Sequence, residues 1–144
     1  MKIVITGAVG HIGSFLIRDL VIHFPGVNIV MIDNMMTQRF SSLFNLPKTG
    51  NFQFIEGDVR TLNLNSIFEG ADSIIHLAAN LIISEGKRKP KKYYKNNVEG
   101  TKKLLEACKN TSIKNFIFSS TAAIYKEGQY RVTEKSKINP KSIY

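Results

Sequence analysis

Lys2-Ile3-Val4-Ile5-Thr6-Gly7-Ala8-Val9-Gly10-His11-Ile12-Gly13 stands at the start of the chain, and the rest of the sequence is read outward from it. Its first five residues are a short run rich in branched side chains, halted by Gly7, which predicts a buried strand. From residue 11 to about 24, Ile12, Phe15, Leu16, Leu20 and Ile22 or His23 recur at helical spacing, and Pro25-Gly26 stops that helix. Gly7, Gly10 and Gly13 therefore fall between a strand and a helix. A phosphate bound there would meet unpaired backbone N–H groups at a helix N-terminus, with no side chains to hold it away. Glycines also simply make turns, so the trio needs support from elsewhere.

That support lies at Asp33. Residues 28–32 form a second apolar run, closed by Asp33-Asn34, and Asp33 is twenty residues beyond Gly13. A carboxylate at that strand end can accept hydrogen bonds from a ribose and would repel a 2′-phosphate, which favours NAD over NADP. A solvated strand-end acid is the alternative. Strand, glycine turn, helix, strand and acid in this order point to dinucleotide binding. A polar, Met-containing loop runs on to about residue 51. Further strands are expected at 52–55, 73–77 and 115–118, and helices at 62–68 and 93–109. In the last helix Tyr94, Val98, Leu104, Leu105 and Cys108 are the inward candidates. Alternation of strand and helix argues for a parallel sheet with crossover helices.

Composition narrows the class. A chain of 144 residues, 43% hydrophobic, suits one globular domain. No apolar run approaches the ~18–20 residues of a spanning helix, and Thr6-Gly7 arrives too early for a signal peptide. The single cysteine, Cys108, fits a reducing compartment. A cytoplasmic protein with no membrane partner is expected. The formal charge is +9, and six of the cations lie between Lys87 and Lys95 beside Tyr93 and Tyr94. Such a block could hold nucleic-acid phosphates, but it carries no geometry, and a solvated loop and helix start is the plainer reading. No nucleic-acid partner is expected. Among the histidines, His11 would face phosphate with its backbone, His76 suits strand-end packing better than a base, and His23 suits a helix surface. No His or Cys pair has metal-ligand spacing, so no metal is expected.

Several further motifs arrive in one order: Gly57-Asp58-Val59, His76-Leu77-Ala78-Ala79, Tyr93-Tyr94-Lys95-Asn96-Asn97-Val98-Glu99-Gly100-Thr101, and Phe116-Ile117-Phe118-Ser119-Ser120-Thr121-Ala122-Ala123-Ile124-Tyr125. With the Gly-x-x-Gly-x-x-Gly turn and Asp33-Asn34, the chain resembles the extended short-chain dehydrogenases/reductases, especially the UDP-glucose 4-epimerase-like members of the NAD-dependent epimerase/dehydratase group. The resemblance covers essentially all 144 residues. It implies an α/β, Rossmann-type doubly wound parallel sheet, here truncated after the fifth strand. It also implies bound NAD. Gly7, Gly10, His11, Ile12 and Gly13 would meet the pyrophosphate, and Asp33 and Asn34 the ribose. Asp58 and Val59 would contact adenine, while Leu77, Ala78, Ala79 and Asn96 would line the nicotinamide side.

The resemblance also implies a chemistry, oxidation and re-reduction at C4 of a nucleotide sugar. Thr121 occupies the catalytic Ser/Thr position, where its hydroxyl would bond the sugar O4; a buried strand-end Thr is the alternative. Related 4,6-dehydratases typically carry Asp-Glu after that position, whereas this chain has Ala122-Ala123, so elimination is disfavoured. Lys126 replaces a usual Gly, and Leu81 stands where many 4-epimerases have a Lys. Pro140-Lys141-Ser142-Ile143-Tyr144 resembles the approach to the catalytic Tyr of a Tyr-x-x-x-Lys pair, and Tyr144 is the last residue. The expectation is residues 1–144 as an incomplete NAD-binding domain, with the later strands and the C-terminal substrate domain absent. It would be inactive alone, and its full-length parent would be a homodimer. An NAD-dependent reductase of another carbonyl and a non-catalytic NAD-binding module are the competing readings.

Overall fold

The structure is a computed structural model that describes residues 1–125, 128 and 131–141, leaving the side chains of Ile83 and Ser84 aside. Five parallel strands, β1 (Lys2–Thr6), β2 (Asn28–Asp33), β3 (Asn51–Glu56), β4 (Ser73–His76) and β5 (Asn115–Phe118), form one sheet in the order β3-β2-β1-β4-β5. β1 is central because its side chains are apolar on both faces; Val4 and Ile5 have no exposed surface. In register, Ile5 lies beside Met31 of β2 and Ile75 of β4. The chain builds outward from β1 through β2 to β3, then returns to the other side of β1 for β4 and β5. That reversal opens a crevice beyond the carboxyl ends of β1 and β4.

Helices cover both faces. On one, α1 (His11–His23) sets Ile17 and Val21 against Ile3, Ile5, Ile29, Met31 and Ile75. On the other, α2 (Leu64–Phe68) and α5 (Gly100–Lys109) set Leu64, Phe68, Leu104 and Ala107 against Val4, Val30, Ile32 and Ile74. β5 pairs with β4 on one side, and its Ile117 and Phe118 are exposed. Among the described residues, no helix is long and apolar enough to cross a membrane.

Two helix faces differ from the spacing-based expectation. In α1 the buried positions are Gly13, Ile17 and Val21, while Ile12, Phe15 and Ile22 are exposed. The helix is apolar around much of its circumference, so spacing alone admits more than one inward stripe. Gly13 decides between them: a β-carbon there would lie 2.6 Å from the Ala8 carbonyl oxygen, so this bare face seats the helix on the turn before it. The long helix is also not uniform. Between α4 (Pro90–Tyr93) and α5 lies a π-helical segment, Tyr94–Glu99, preceded by a further short helix, α3 (Ile83–Arg88). A π turn takes in an extra residue and rotates the later part of a helix relative to the earlier part. The buried residues are accordingly Tyr93, Gly100, Leu104 and Ala107, with Tyr94, Val98 and Leu105 exposed and Cys108 half-buried.

The contrast on α1 is measurable. Ile17→Ala should destabilise the protein by about 2–5 kcal/mol, whereas Phe15→Ala should change stability by no more than about 0.5 kcal/mol in urea unfolding. The reverse ranking would mean that the opposite face of α1 packs on the sheet.

Candidate functional site

The crevice at the β1/β4 reversal is a cavity of about 390 Å³. The glycine turn supplies one wall, with Gly7, Gly10, His11, Ile12 and Gly13. Asp33 and Asn34 reach it from the end of β2, and Asp58 and Val59 from the loop after β3. Leu77, Ala78 and Ala79 follow β4, Asn96 comes from the π-helical segment, and Thr121 follows β5. All thirteen residues expected around a dinucleotide thus line one cavity, together with Thr121. Tyr144 and Lys126 lie outside the described residues.

The turn is built to bring backbone close to whatever fills the cavity. Gly7 has φ 71°, and a β-carbon there would sit 2.7 Å from the Ala78 nitrogen. The turns after β1 and β4 therefore touch through backbone alone. The α1 ladder starts with Ser14 N–H donating to Gly10 carbonyl, 2.9 Å, and no side chain caps the helix. The N–H groups of His11, Ile12 and Gly13 are left without an acceptor among the described residues, at the positive end of a thirteen-residue helix. These donors suit an anion, and the bare glycines admit one to backbone distance, so the residues present fit a pyrophosphate.

Asp33 is half-buried and fixed by the turn it faces. Its two oxygens accept the Val9 and Met35 N–H groups at 3.2 and 3.0 Å, and a carboxylate with about four acceptor positions still has room for hydroxyls. Asp58 is held charged, below the usual carboxylate range, chiefly by hydrogen bonding from the Arg60 guanidinium. Thr121 Oγ1 accepts the Ala123 N–H at 3.1 Å, capping a short turn at Ala122–Ile124, so its hydroxyl proton remains available to donate into the cavity.

Arg39 was not legible from sequence as a site residue. It lines the cavity from the loop after β2, with Nη2 2.7 Å from His11 Nε2. That loop is anchored to α1: Arg18 donates to the carbonyls of Ser14, Ser42 and Phe44, and Ser42 Oγ donates to the Val9 carbonyl. A lone cation in a polar loop has no spacing signature that would single it out. Met36, Thr37 and Asn80 also line the cavity and carry no such signature either, whereas Leu81, singled out in the sequence, lines it beside them. His11 contributes more than backbone, since its ring meets Arg39.

His76 stands behind the cavity rather than in it. It is 2% exposed, with Nδ1 2.6 Å from Thr6 Oγ1 and Nε2 3.0 Å from Thr101 Oγ1. Burial lowers its pKa from 6.5 to about 4, so it is neutral near pH 7. His23 is exposed on α1, 3.7 Å from Asp19.

A parallel sheet of this order, with a glycine turn and an acid at its reversal point, defines a Rossmann-type α/β domain. The chain belongs to the GDP-mannose 4,6 dehydratase family, which residues 4–144 match, within the wider group of NAD-dependent epimerases and dehydratases. It is 36% identical over 150 residues to a Bacillus subtilis protein described as an uncharacterized UDP-glucose epimerase, covering 100% of this chain and 47% of that protein. Its fold is similar to the UDP-N-acetylglucosamine 4-epimerase of Methanobrevibacter ruminantium solved with UDP-N-acetylmuramic acid (TM-score 0.88, 31% identity, 99% of this chain and 45% of that one). It is similar too to the UDP-glucuronic acid 4-epimerase of Bacillus cereus solved with UDP-glucuronic acid and NAD (TM-score 0.85, 32% identity, 99% and 47%). The chain thus spans about half the length of these relatives.

Burial of neutral His76 gives stability a pH dependence of definite sign. The unfolded chain takes up a proton near pH 6.5, whereas the folded protein resists it until about pH 4. Stability should therefore fall as pH drops through that window, by on the order of 3 kcal/mol, and stay flat above it. His76→Phe should remove this slope in urea unfolding at pH 4.5 and 7; an unchanged slope would assign it to other groups.

Proposed function

We propose that these residues form the NAD-binding half of a nucleotide-sugar 4-epimerase. The observation that carries the reading is one cavity that gathers the glycine turn, Asp33 and Thr121. The pyrophosphate would lie against the N–H groups of His11, Ile12 and Gly13, and the adenosine ribose against Asp33. Arg39, the one fixed cation among the described lining residues, would offset the pyrophosphate charge. Asp58 and Val59 would border adenine, with Leu77, Ala78, Ala79 and Asn96 toward the nicotinamide. The solved Bacillus cereus relative, with NAD and a UDP-sugar bound, supports this assignment by similarity.

Bound NAD would supply a hydride acceptor, and afterwards donor, for C4 of the sugar. The protein's own part is proton handling and placement. Thr121 would donate its hydroxyl hydrogen bond to the sugar O4. Tyr144 would take the 4-hydroxyl proton as a tyrosinate, a species that needs a neighbouring cation because a phenol has a pKa of about 10 in water. In the family pattern a lysine four residues after that tyrosine supplies the charge. Ala122 and Ala123 offer no acid or base for loss of water, which favours epimerisation over the 4,6-dehydration that gives the family its name. Leu81, lining the cavity where many 4-epimerases have a lysine, weakens the case for a galactose substrate, and a reductase of another carbonyl is the second reading.

By titration calorimetry the chain should bind NAD at least about tenfold more tightly than NADP, and Asp33→Ala should weaken NAD by about tenfold and erase the preference. Equal affinities for the two dinucleotides in the unmutated chain would remove the role given to Asp33. Joined to the C-terminal half of the Methanobrevibacter ruminantium enzyme, it should interconvert UDP-sugar 4-epimers with no net NADH. Steady NADH consumption or release would favour the reductase instead.

A further inference from the structure

We propose that His76, as the Nε2–H tautomer, is a positioning residue: it closes a ring of hydrogen bonds that fixes the turn at residues 77–80, one wall of the cavity. The proposal rests on the dinucleotide reading for its functional consequence, but the ring itself does not.

Counting protons assigns every bond in the ring. Thr101 Oγ1 lies 2.6 Å from the Asn97 carbonyl oxygen, which can only accept, so the single hydroxyl proton of Thr101 goes there. His76 Nε2, 3.0 Å from the same Oγ1, must then be the donor. With burial holding the pKa near 4, the ring has one proton at neutral pH, so Nδ1 is an acceptor, and Thr6 O–H donates to it across 2.6 Å. Thr6 Oγ1, its proton committed, accepts the Ala78 N–H at 3.4 Å. The opposite tautomer would set two lone pairs face to face between Nε2 and Thr101 and leave the Thr6 proton without an acceptor.

The other half of the ring runs through Asn97. Its Oδ1 accepts the Asn80 N–H at 2.8 Å, and its Nδ2 donates to the Asn80 carbonyl at 3.1 Å. Asn96 Nδ2 also donates to Asn97 Oδ1, at 3.1 Å, so the neighbouring cavity residue is oriented by the same amide. Ala78 and Asn80, near the two ends of the turn, are thus held by one closed circuit through Thr6, His76, Thr101 and Asn97. Strand register puts Thr6 directly beside His76, and the rings of Phe116 and Phe118, at 6.3 and 5.7 Å, flank the imidazole. Thr6, His76 and Asn80 are all buried, where water cannot replace a lost link.

The test uses the 144-residue chain. With 15N-labelled histidine at pH 7, long-range proton–nitrogen correlation should show His76 protonated at Nε2; an Nδ1–H or doubly protonated ring overturns the proposal without reliance on any variant. Thr101→Val should speed amide exchange at Ala78 and Asn80 and weaken NAD by about tenfold, and Thr101→Ser should restore both to within about twofold. Unchanged exchange in Thr101→Val, or equal loss in both variants, would reduce Thr101 to a packing role and overturn the ring. If the unmutated chain shows the Nε2–H tautomer yet binds no NAD, the dinucleotide reading fails. The cofactor-positioning claim falls with it, while the hydrogen-bond ring stands.

Discussion

Backbone meets backbone where the turn after β1 touches the turn after β4, and the site depends on that contact. Gly7 admits it by carrying no β-carbon and by adopting a positive φ; Gly13 does the same for the seat of α1 on Ala8 by its bare α-carbon alone. With side chains at these points the turns would separate, α1 would lift from the sheet, and its unpaired N–H groups would no longer face Asp33 across a narrow cavity. The position of the cavity comes from topology, because only between β1 and β4 do neighbouring connections leave in opposite directions.

Charge around the cavity is arranged by a few anchored groups. Asp33 is pinned by two backbone amides, Asp58 by Arg60, and Arg39 by its contact with His11 on a loop that Arg18 fastens to α1. Behind them lies a layer with no net charge, in which His76, two threonines and an asparagine satisfy one another. A buried imidazole is tolerated there because it is neutral and both its nitrogens have partners. The same arrangement makes it unsuitable as a base, since a proton could reach it only at low pH.

The strands were readable because each is a short apolar run closed by a glycine or a polar residue, a pattern that survives any detail of packing. The cavity residues were readable because the glycine spacing, Asp33 and the separated motifs carry local chemistry. Helix faces were less so. In α1 Ile12, Phe15 and Ile22 look as apolar as Ile17 and Val21, and periodicity cannot choose between them. In the long helix the π-helical segment breaks the period that makes Tyr94 and Val98 look like inward positions. Arg39 and the Asn97 clamp were hidden for another reason, since each depends on a contact between segments 17 or more residues apart.

What the sequence determined by itself is the order of elements, the family and the place of the glycine turn, since these rest on residue types in local succession. What only the tertiary structure decided is which way each helix faces, which loop cation reaches the cavity, and which nitrogen of His76 carries the proton. Those choices depend on distances between parts of the chain that are remote in sequence, and close packing around Gly7 and Gly13 selects one arrangement from several that the pattern alone would allow.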